Sequence, residues 1–104
     1  MMRTHPKKRL EIVIESPLLR RVIGLIEGAD VSGYSVLSVV AGNGHSGRWE
    51  ATGLVCEAGK MFAVVCILDE KELDLLLSAI YPILERQIGI LAISDVQVIR
   101  AQRF

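Results

Sequence analysis

The stretch RLEIVIESP, residues 9–17, decides the fold because a strand pattern passes directly into the start of a helix. Apolar side chains recur at every second position, which predicts a half-buried strand over residues 9–15. Ser16 then offers an N-cap, and Pro17 suits the first helical turn. The side chains expected to point inward from this strand are Leu10, Ile12 and Ile14.

Two helices are predicted from apolar side chains at helical spacing. The first follows Pro17 and stops near Gly28, a suitable C′ residue. The second begins after Asp69, where Glu72 is typical of a capping box. Pro82 is expected to kink or shorten this helix, since its ring clashes with the preceding turn. The apolar stripes are Leu18, Leu19, Val22, Ile23 and Ile26, then Leu73, Leu76, Leu77, Ile80, Tyr81 and Leu84.

Three further strands complete the pattern. Residues 34–40 and 61–68 are predicted as the second and third strands, and the third is apolar almost throughout, as in a central strand. The fourth covers residues 90–100, with an interruption near Ser94 and Asp95. The order of elements predicts an α+β fold, the ferredoxin-like βαββαβ sandwich, in which a four-stranded antiparallel sheet carries two helices on one face.

Length and composition indicate a single domain over residues 1–104. The chain is 51% hydrophobic, yet the helices cover only one face of the predicted sheet. Domains of this size are marginally stabilised by their own burial, so the apolar excess favours an oligomer interface on the other face. A small apolar core without oligomerisation is the alternative.

Charge and hydropathy exclude several classes of protein. Twelve Lys and Arg residues balance 12 Asp and Glu residues, which argues against nucleic acid as a partner. No apolar run reaches the roughly 18 residues of a membrane span, and the basic N-terminus lacks the apolar core of a signal peptide. The sequence therefore predicts a cytoplasmic protein.

The long connection between the second and third predicted strands is the candidate working part. Connections longer than about 12–15 residues are uncommon in compact domains and are usually functional. Residues 42–59 contain several glycines and the only tryptophan, Trp49. Successive N–H groups of Gly42, Asn43 and Gly44 favour an anion-binding nest. The side chains that add positive charge are His45, Arg48, Arg100 and Arg103.

Enzymatic chemistry finds little support in the sequence. His5 and His45 lack neighbouring metal ligands, and no Gly-x-Ser-x-Gly motif supplies a nucleophile. Cys56 and Cys66 are a single pair whose spacing fits no zinc pattern. Cys66 is expected in the core, and Cys56 in the loop is a weak redox candidate. We therefore predict no catalytic residue, no metal and no cofactor, with a small enzyme that uses His45 as an open alternative.

The chain resembles the PII signalling superfamily over residues 8–103. The segments that carry the resemblance are KKRLEIVI (7–14) for its first strand, PLL (17–19) for its Pro-x-x-Leu helix start, VSGYSV (31–36) for its Gly-Met-Thr-Val strand, GNG (42–44) for its Gly-x-Gly entry to the T-loop, and VIR (98–100) with Arg103 for its basic last strand.

This resemblance implies a homotrimer of ferredoxin-like subunits that binds adenine nucleotides in the clefts between subunits. It also implies a flexible T-loop, here about residues 42–59, that engages a partner, often a membrane transporter. The implied nucleotide site comprises Gly33, Ser35, Gly42, Asn43, Gly44, His45, Ala63, Val64, Val65, Gly89, Arg100 and Arg103. The implied partner-binding segment of the loop comprises Arg48, Trp49 and Glu50.

The segment RQIGI, residues 86–90, departs from the family pattern Thr-Gly-Lys-x-Gly-Asp-Gly-Lys. It lacks the lysine that would hold a γ-phosphate, so ADP or AMP is expected to bind better than ATP. The family's modified tyrosine and its 2-oxoglutarate-binding glutamine are not evident either. Regulation by uridylylation and nitrogen sensing are therefore not expected.

These departures resemble the PII-like branches, above all the carboxysome-associated PII-like group, which is linked to inorganic carbon. Bicarbonate is therefore expected as a second ligand, held by Gly44, Gly47 and Arg48. The predicted protein senses adenine nucleotides and bicarbonate, and its T-loop switches binding to a partner such as an inorganic-carbon transporter. The alternative is a structural or ion-tolerance trimer that ignores nucleotides and uses the loop for docking.

Overall fold

The chain forms two sheets and two helices in a computed structural model that describes residues 2–29, 31, 33–44, 47–50, 60–85 and 89–100. The strands are β1 (His5–Glu15), β2 (Tyr34–Val39), β3 (Ala41–Gly44), β4 (Gly47–Glu50), β5 (Met61–Leu68) and β6 (Gly89–Val98), and the helices are α1 (Ser16–Gly28) and α2 (Glu70–Leu84). The main sheet has the antiparallel order β2-β5-β1-β6, and β3 pairs with β4 separately. The predicted βαββαβ sheet is confirmed, with a hairpin added inside the long connection.

The core lies between the main sheet and both helices. Leu10, Ile12 and Ile14 of β1 are fully buried, as predicted. The register places Val64 of β5 and Leu91 of β6 on either side of Ile12. Because paired residues point to the same side of a sheet, one face, here called the helix face, carries both helices. The helical residues in this core include Val22 and Ile26 of α1 and Leu73, Leu76 and Ile80 of α2.

The opposite side of the sheet, here called the open face, is also largely apolar. Strand alternation and register place on it Arg9, Glu11 and Val13 of β1, Ala63, Val65 and Ile67 of β5, Ile90 and Ala92 of β6, and Ser35 and Leu37 of β2. Leu37 is 53% exposed and Ile90 is 51% exposed. β5 runs inside the sheet between β2 and β1, as predicted for a central strand.

Strand β6 is continuous, so the predicted interruption near Ser94 and Asp95 is wrong. Asp95 lies opposite Lys8 of β1 in the ladder. Its Oδ1 accepts a hydrogen bond from Lys8 Nζ at 2.5 Å, and this contact raises the pKa of Lys8. The ion pair across the ladder compensates for the poor strand propensity of aspartate.

Helix α1 begins one residue earlier than the sequence predicts. Ser16 lies within the helix, and Glu15 occupies the N-cap position without a side-chain cap. Pro17 is in the first turn, as predicted. Gly28 is the last helical residue rather than C′, and the N–H of the next residue, Ala29, donates to Leu25 O at 3.0 Å.

Helix α2 is capped as predicted. Glu72 Oε1 accepts a hydrogen bond from the Asp69 backbone N–H at 3.2 Å. The Asp69 carboxylate also lies 2.6 Å from Lys7 Nζ, and this contact lowers the pKa of Asp69. The helix passes through Pro82 and ends two residues later at Leu84. Within the described ranges, neither helix is long and apolar enough to cross a membrane.

Cys66 belongs to the core, as predicted. Its side chain is 3% exposed, and burial raises the pKa of its thiol to about 11. The thiol therefore stays protonated and unreactive at neutral pH. Cys56, the redox candidate, lies outside the described residues.

Candidate functional site

The long connection starts as a β-hairpin directly after β2. Asn43 of β3 pairs with Arg48 of β4, and Gly44 pairs with Gly47. Extended backbone points successive N–H groups to opposite sides, so residues 42–44 do not form the nest predicted from their glycines. The hairpin instead places the glycine pair beside the segment that carries Arg48.

The start of β2 positions two predicted nucleotide contacts. Ser35 lies on the open face opposite Val65 of β5, and Gly33 directly precedes the strand. Tyr34 lies on the helix face, where its hydroxyl donates a hydrogen bond to Glu27 Oε2 of α1 at 3.1 Å. This bond links the edge strand to α1 next to Ser35. The sequence analysis did not predict this contact. Its two residues are seven apart in the sequence and belong to different elements, α1 and β2.

We expect Glu27→Gln to lower the pKa of Tyr34 towards the ordinary tyrosine value, because the neutral amide removes the nearby negative charge. Partial burial, then the hydrogen bond and charge of Glu27, raise this pKa. The bond therefore contributes to folding stability below about pH 10 and is lost as pH rises through the raised pKa. Ultraviolet titration checks this in a Tyr81→Phe background, where Tyr34 is the only tyrosine. If Tyr34 has the same pKa in the Tyr81→Phe protein with and without Glu27→Gln, the bond does not form in solution.

The predicted adenine-contacting segment of β5 divides between the two faces of the sheet. Ala63 and Val65 are half-buried on the open face, beside Leu37 and Ser35 of β2. Val64 is 0% exposed in the helix-face core, so its side chain is unavailable to a ligand. Val64 could therefore contact a ligand only through its backbone, and Ala63 and Val65 present their side chains on the open face. The placement of residues 63–65 beside the adenine stays a prediction.

Gly89 and Arg100 lie at the two ends of β6, the other edge of the sheet. A Cβ at Gly89 would lie 2.9 Å from Leu84 Cδ2 and 3.3 Å from Ile14 Cγ2. This close packing is a sufficient reason for glycine at position 89. Arg100 is exposed and follows the end of β6 that pairs with His5.

The predicted site residues therefore lie at different levels along the sheet. Residues 42–44 follow β2 near the Glu15 end of β1, where Gly89 also lies. Ser35 lies level with Glu11 in the middle of β1, with Gly33 just before β2, and Arg100 lies beyond the His5 end. These ends are about 30 Å apart along the strand, and β2 and β6 are about 14 Å apart across the sheet. One subunit thus does not bring Arg100 to residues 42–44.

Several predicted positions lie outside the described residues, namely His45, Arg103 and residues 51–59 and 86–88. In the described ranges, no group of three His, Cys, Asp or Glu side chains is placed to hold a metal ion.

Comparison with known proteins gives matches over nearly the whole chain. The family model "Nitrogen regulatory protein P-II" matches residues 7–103. CPII, a nitrogen regulatory PII-like protein from Thiomonas intermedia whose structure is bound to ADP, AMP and bicarbonate, is 26% identical, with a TM-score of 0.92 over 100% of this chain and 98% of that chain. CPII bound to ADP and bicarbonate gives 25% identity and a TM-score of 0.89, over 100% of this chain and 99% of that chain.

A more distant match supports the fold alone. A PII-like signalling protein from Thermus thermophilus is 21% identical, with a TM-score of 0.83 over 99% of both chains. No curated protein sequence matches the chain significantly.

Proposed function

Because the chain belongs to the P-II family of nitrogen regulatory proteins, we propose that it is a PII-like regulator that binds ADP or AMP together with bicarbonate. The observation that carries the proposal is the match to CPII, which spans the whole chain and whose structure holds these ligands. The PII-like relationship predicted from the sequence is confirmed. The carboxysome-associated branch remains a prediction.

The proposed nucleotide site is shared between two subunits of a trimer. Gly33, Ser35 and residues 42–44 come from one subunit, and Arg100 comes from its neighbour. The distance between Arg100 and residues 42–44 within one chain supports this arrangement, since only a second copy can bring the Arg100 guanidinium to residues 42–44. Arginine suits this role because it binds phosphate oxygens through two parallel hydrogen bonds. Ala63 and Val65 supply the apolar surface for the base.

The proposed bicarbonate site lies in the hairpin after β2. Its register sets Gly44 opposite Gly47 and Asn43 opposite Arg48. Two glycines without side chains let a small anion approach the backbone closely, and Arg48 supplies the positive charge. A single negative charge suits a site with one arginine.

A preference for ADP or AMP follows from the number of positive charges. The RQIGI segment contains one arginine and no lysine, where the family pattern has two lysines. ATP carries the most phosphate charge and therefore loses the most from their absence. We expect ATP to bind most weakly of the three nucleotides.

The regulatory step is a change in the T-loop rather than a chemical reaction. Ligands that bind one loop conformation more tightly shift the population towards it. In the proposed mechanism, nucleotide and bicarbonate select the loop state that exposes or hides Arg48, Trp49 and Glu50. These residues then bind or release a partner such as an inorganic-carbon transporter at the cytoplasmic side of a membrane.

Isothermal titration calorimetry of the purified protein with ADP, AMP and ATP tests this function. Each titration is run with and without bicarbonate, using chloride at equal ionic strength and pH as the control anion. We expect ADP or AMP to bind more tightly than ATP, and bicarbonate to change that affinity, because the two sites adjoin the same hairpin. If none of the nucleotides binds, the nucleotide-independent structural or ion-tolerance trimer replaces this proposal.

A further inference from the structure

The end of β1 that carries His5 reaches beyond the segment matched by the family model, which begins at residue 7. His5 pairs with Val98 at the end of β6. The Thr4 hydroxyl also donates a hydrogen bond to the side-chain oxygen of Gln97, so the chain before β1 still runs along β6. The family model therefore assigns no role to the residues before position 7, although they run beside the end of β6.

The register of the sheet brings Arg3 and Arg100 together at this end. Each step back along β1 corresponds to a step forward along β6, so the ladder, continued two residues past Val98, sets Arg3 opposite Arg100. Residues two apart in an extended chain point to the same side, so His5 lies on that side as well. Both arginines are exposed and His5 is half-buried. We call Arg3, His5 and Arg100 the basic corner.

The basic corner differs from the neighbouring lysines, whose charges are compensated. Lys7 Nζ lies 2.6 Å from Asp69 Oδ1. Lys8 Nζ lies 2.5 Å from Asp95 Oδ1. Within the described residues, by contrast, no carboxylate forms an ion pair with a member of the basic corner. Like charges that face each other across a ladder repel, so an uncompensated pair of arginines favours an anion between them.

The ligand that best suits this corner is a diphosphate. Arginine binds phosphate oxygens through two parallel hydrogen bonds, and the histidine ring adds an N–H donor. A terminal phosphate carries about −1.5 to −2 charges at pH 7, and ADP has a further phosphate charge that AMP lacks. ADP therefore gains more from two arginines than AMP does. The third phosphate of ATP still lacks the lysine that the family pattern places in the RQIGI segment.

We propose that the basic corner of one subunit binds the terminal phosphate of ADP held at residues 42–44 of its neighbour, and that Arg3 thereby sets a preference for ADP over AMP. This inference rests on the proposed nucleotide site. It goes further by adding Arg3 and His5 to that site and by choosing between the two nucleotides. In the bound state the phosphate supplies the counter-charge that no described carboxylate gives to the corner.

Isothermal titration calorimetry of Arg3→Ala with ADP and with AMP tests the proposal. We expect the variant to bind ADP about tenfold more weakly, as for the loss of a charge-assisted hydrogen bond, and to bind AMP within about twofold of the unmodified chain. His5→Ala is expected to act in the same direction with a smaller effect, because it removes one N–H donor where arginine offers a pair. Arg20→Ala, which removes an exposed arginine from α1, is the matched control and should leave both affinities unchanged.

The outcomes separate this inference from the proposed function. If Arg3→Ala leaves ADP affinity unchanged, or weakens AMP binding at least as much as ADP binding, the inference is overturned, while binding of both nucleotides to the unmodified chain still supports the nucleotide site. If the unmodified chain binds neither nucleotide, both fail. Circular dichroism and sedimentation velocity check that Arg3→Ala folds and assembles like the unmodified chain. If it does not, Arg3→Lys replaces it, since lysine keeps the charge but not the paired N–H groups, and unchanged discrimination between ADP and AMP in that variant would equally overturn the inference.

Discussion

Replacing Arg100 with alanine is expected to weaken ADP binding by more than tenfold and to leave the free energy of unfolding unchanged. The side chain is exposed beyond the end of β6, so its removal creates no cavity. Its proposed partner is a nucleotide phosphate, and charge-assisted hydrogen bonds from arginine to phosphate are among the strongest in proteins. Calorimetry gives the affinity, and urea denaturation gives the free energy of unfolding.

Arg20→Ala is the matched control for this prediction. It removes the same charge from an exposed position on α1, and ADP affinity should change little. Unchanged affinity in the Arg100→Ala variant would remove Arg100 from the site. The place of the chain in the P-II family would be unaffected, because that rests on the match over residues 7–103.

Mixed oligomers test whether Arg100 acts across a subunit boundary. Gly33→Val is a suitable second variant, since a Cβ at Gly33 meets nothing within 4 Å and the fold should tolerate it. Each variant alone lacks one half of every site. In an equal mixture, about a quarter of the clefts should combine two intact halves, if copies assemble at random in a cyclic trimer. A site contained in one subunit would recover no tight binding.

Local sequence patterns predicted the main sheet because its faces differ in burial. The alternation that places Ile12 inside also places Glu11 and Val13 on the open face, and the structure follows that period along β1. Asp95 was misread because its strand propensity is poor. Its compensation is an ion pair with Lys8, 87 residues away in sequence. A local pattern does not contain that contact.

The candidate site was less predictable than the sheet for two physical reasons. The alternation of β5 predicts that Val64 faces away from Ala63 and Val65, and the structure places them on opposite faces accordingly. The β3–β4 hairpin had no clear local signal, because residues 45 and 46 are His and Ser rather than the Asn-Gly or Gly-x pairs typical of a two-residue turn. The distance of Arg100 from that hairpin depends on strand order and register, which arise only when the strands pair.

Ile12→Ala is expected to lower the free energy of unfolding by about 3 kcal/mol, within the range of roughly 2–5 kcal/mol for such truncations. Ile12 is fully buried on the helix face, between Val64 and Leu91. It lies on β1, which pairs with β5 on one side and with β6 on the other. Urea denaturation at fixed protein concentration measures the loss, and Ile12→Val should cost about 0.5–1.5 kcal/mol.

Val13→Ala provides the contrast, since Val13 is the next residue on the same strand but lies on the open face. If that face is the assembly surface, the effect of Val13→Ala depends on protein concentration, because assembly stabilises the folded chain by mass action. The effect of Ile12→Ala arises inside one subunit and should be nearly independent of concentration. A cost below about 1 kcal/mol for Ile12→Ala would mean that the core closes around the missing atoms. Equal concentration dependence for both variants would mean that the two faces of β1 do not have the separate roles assigned to them.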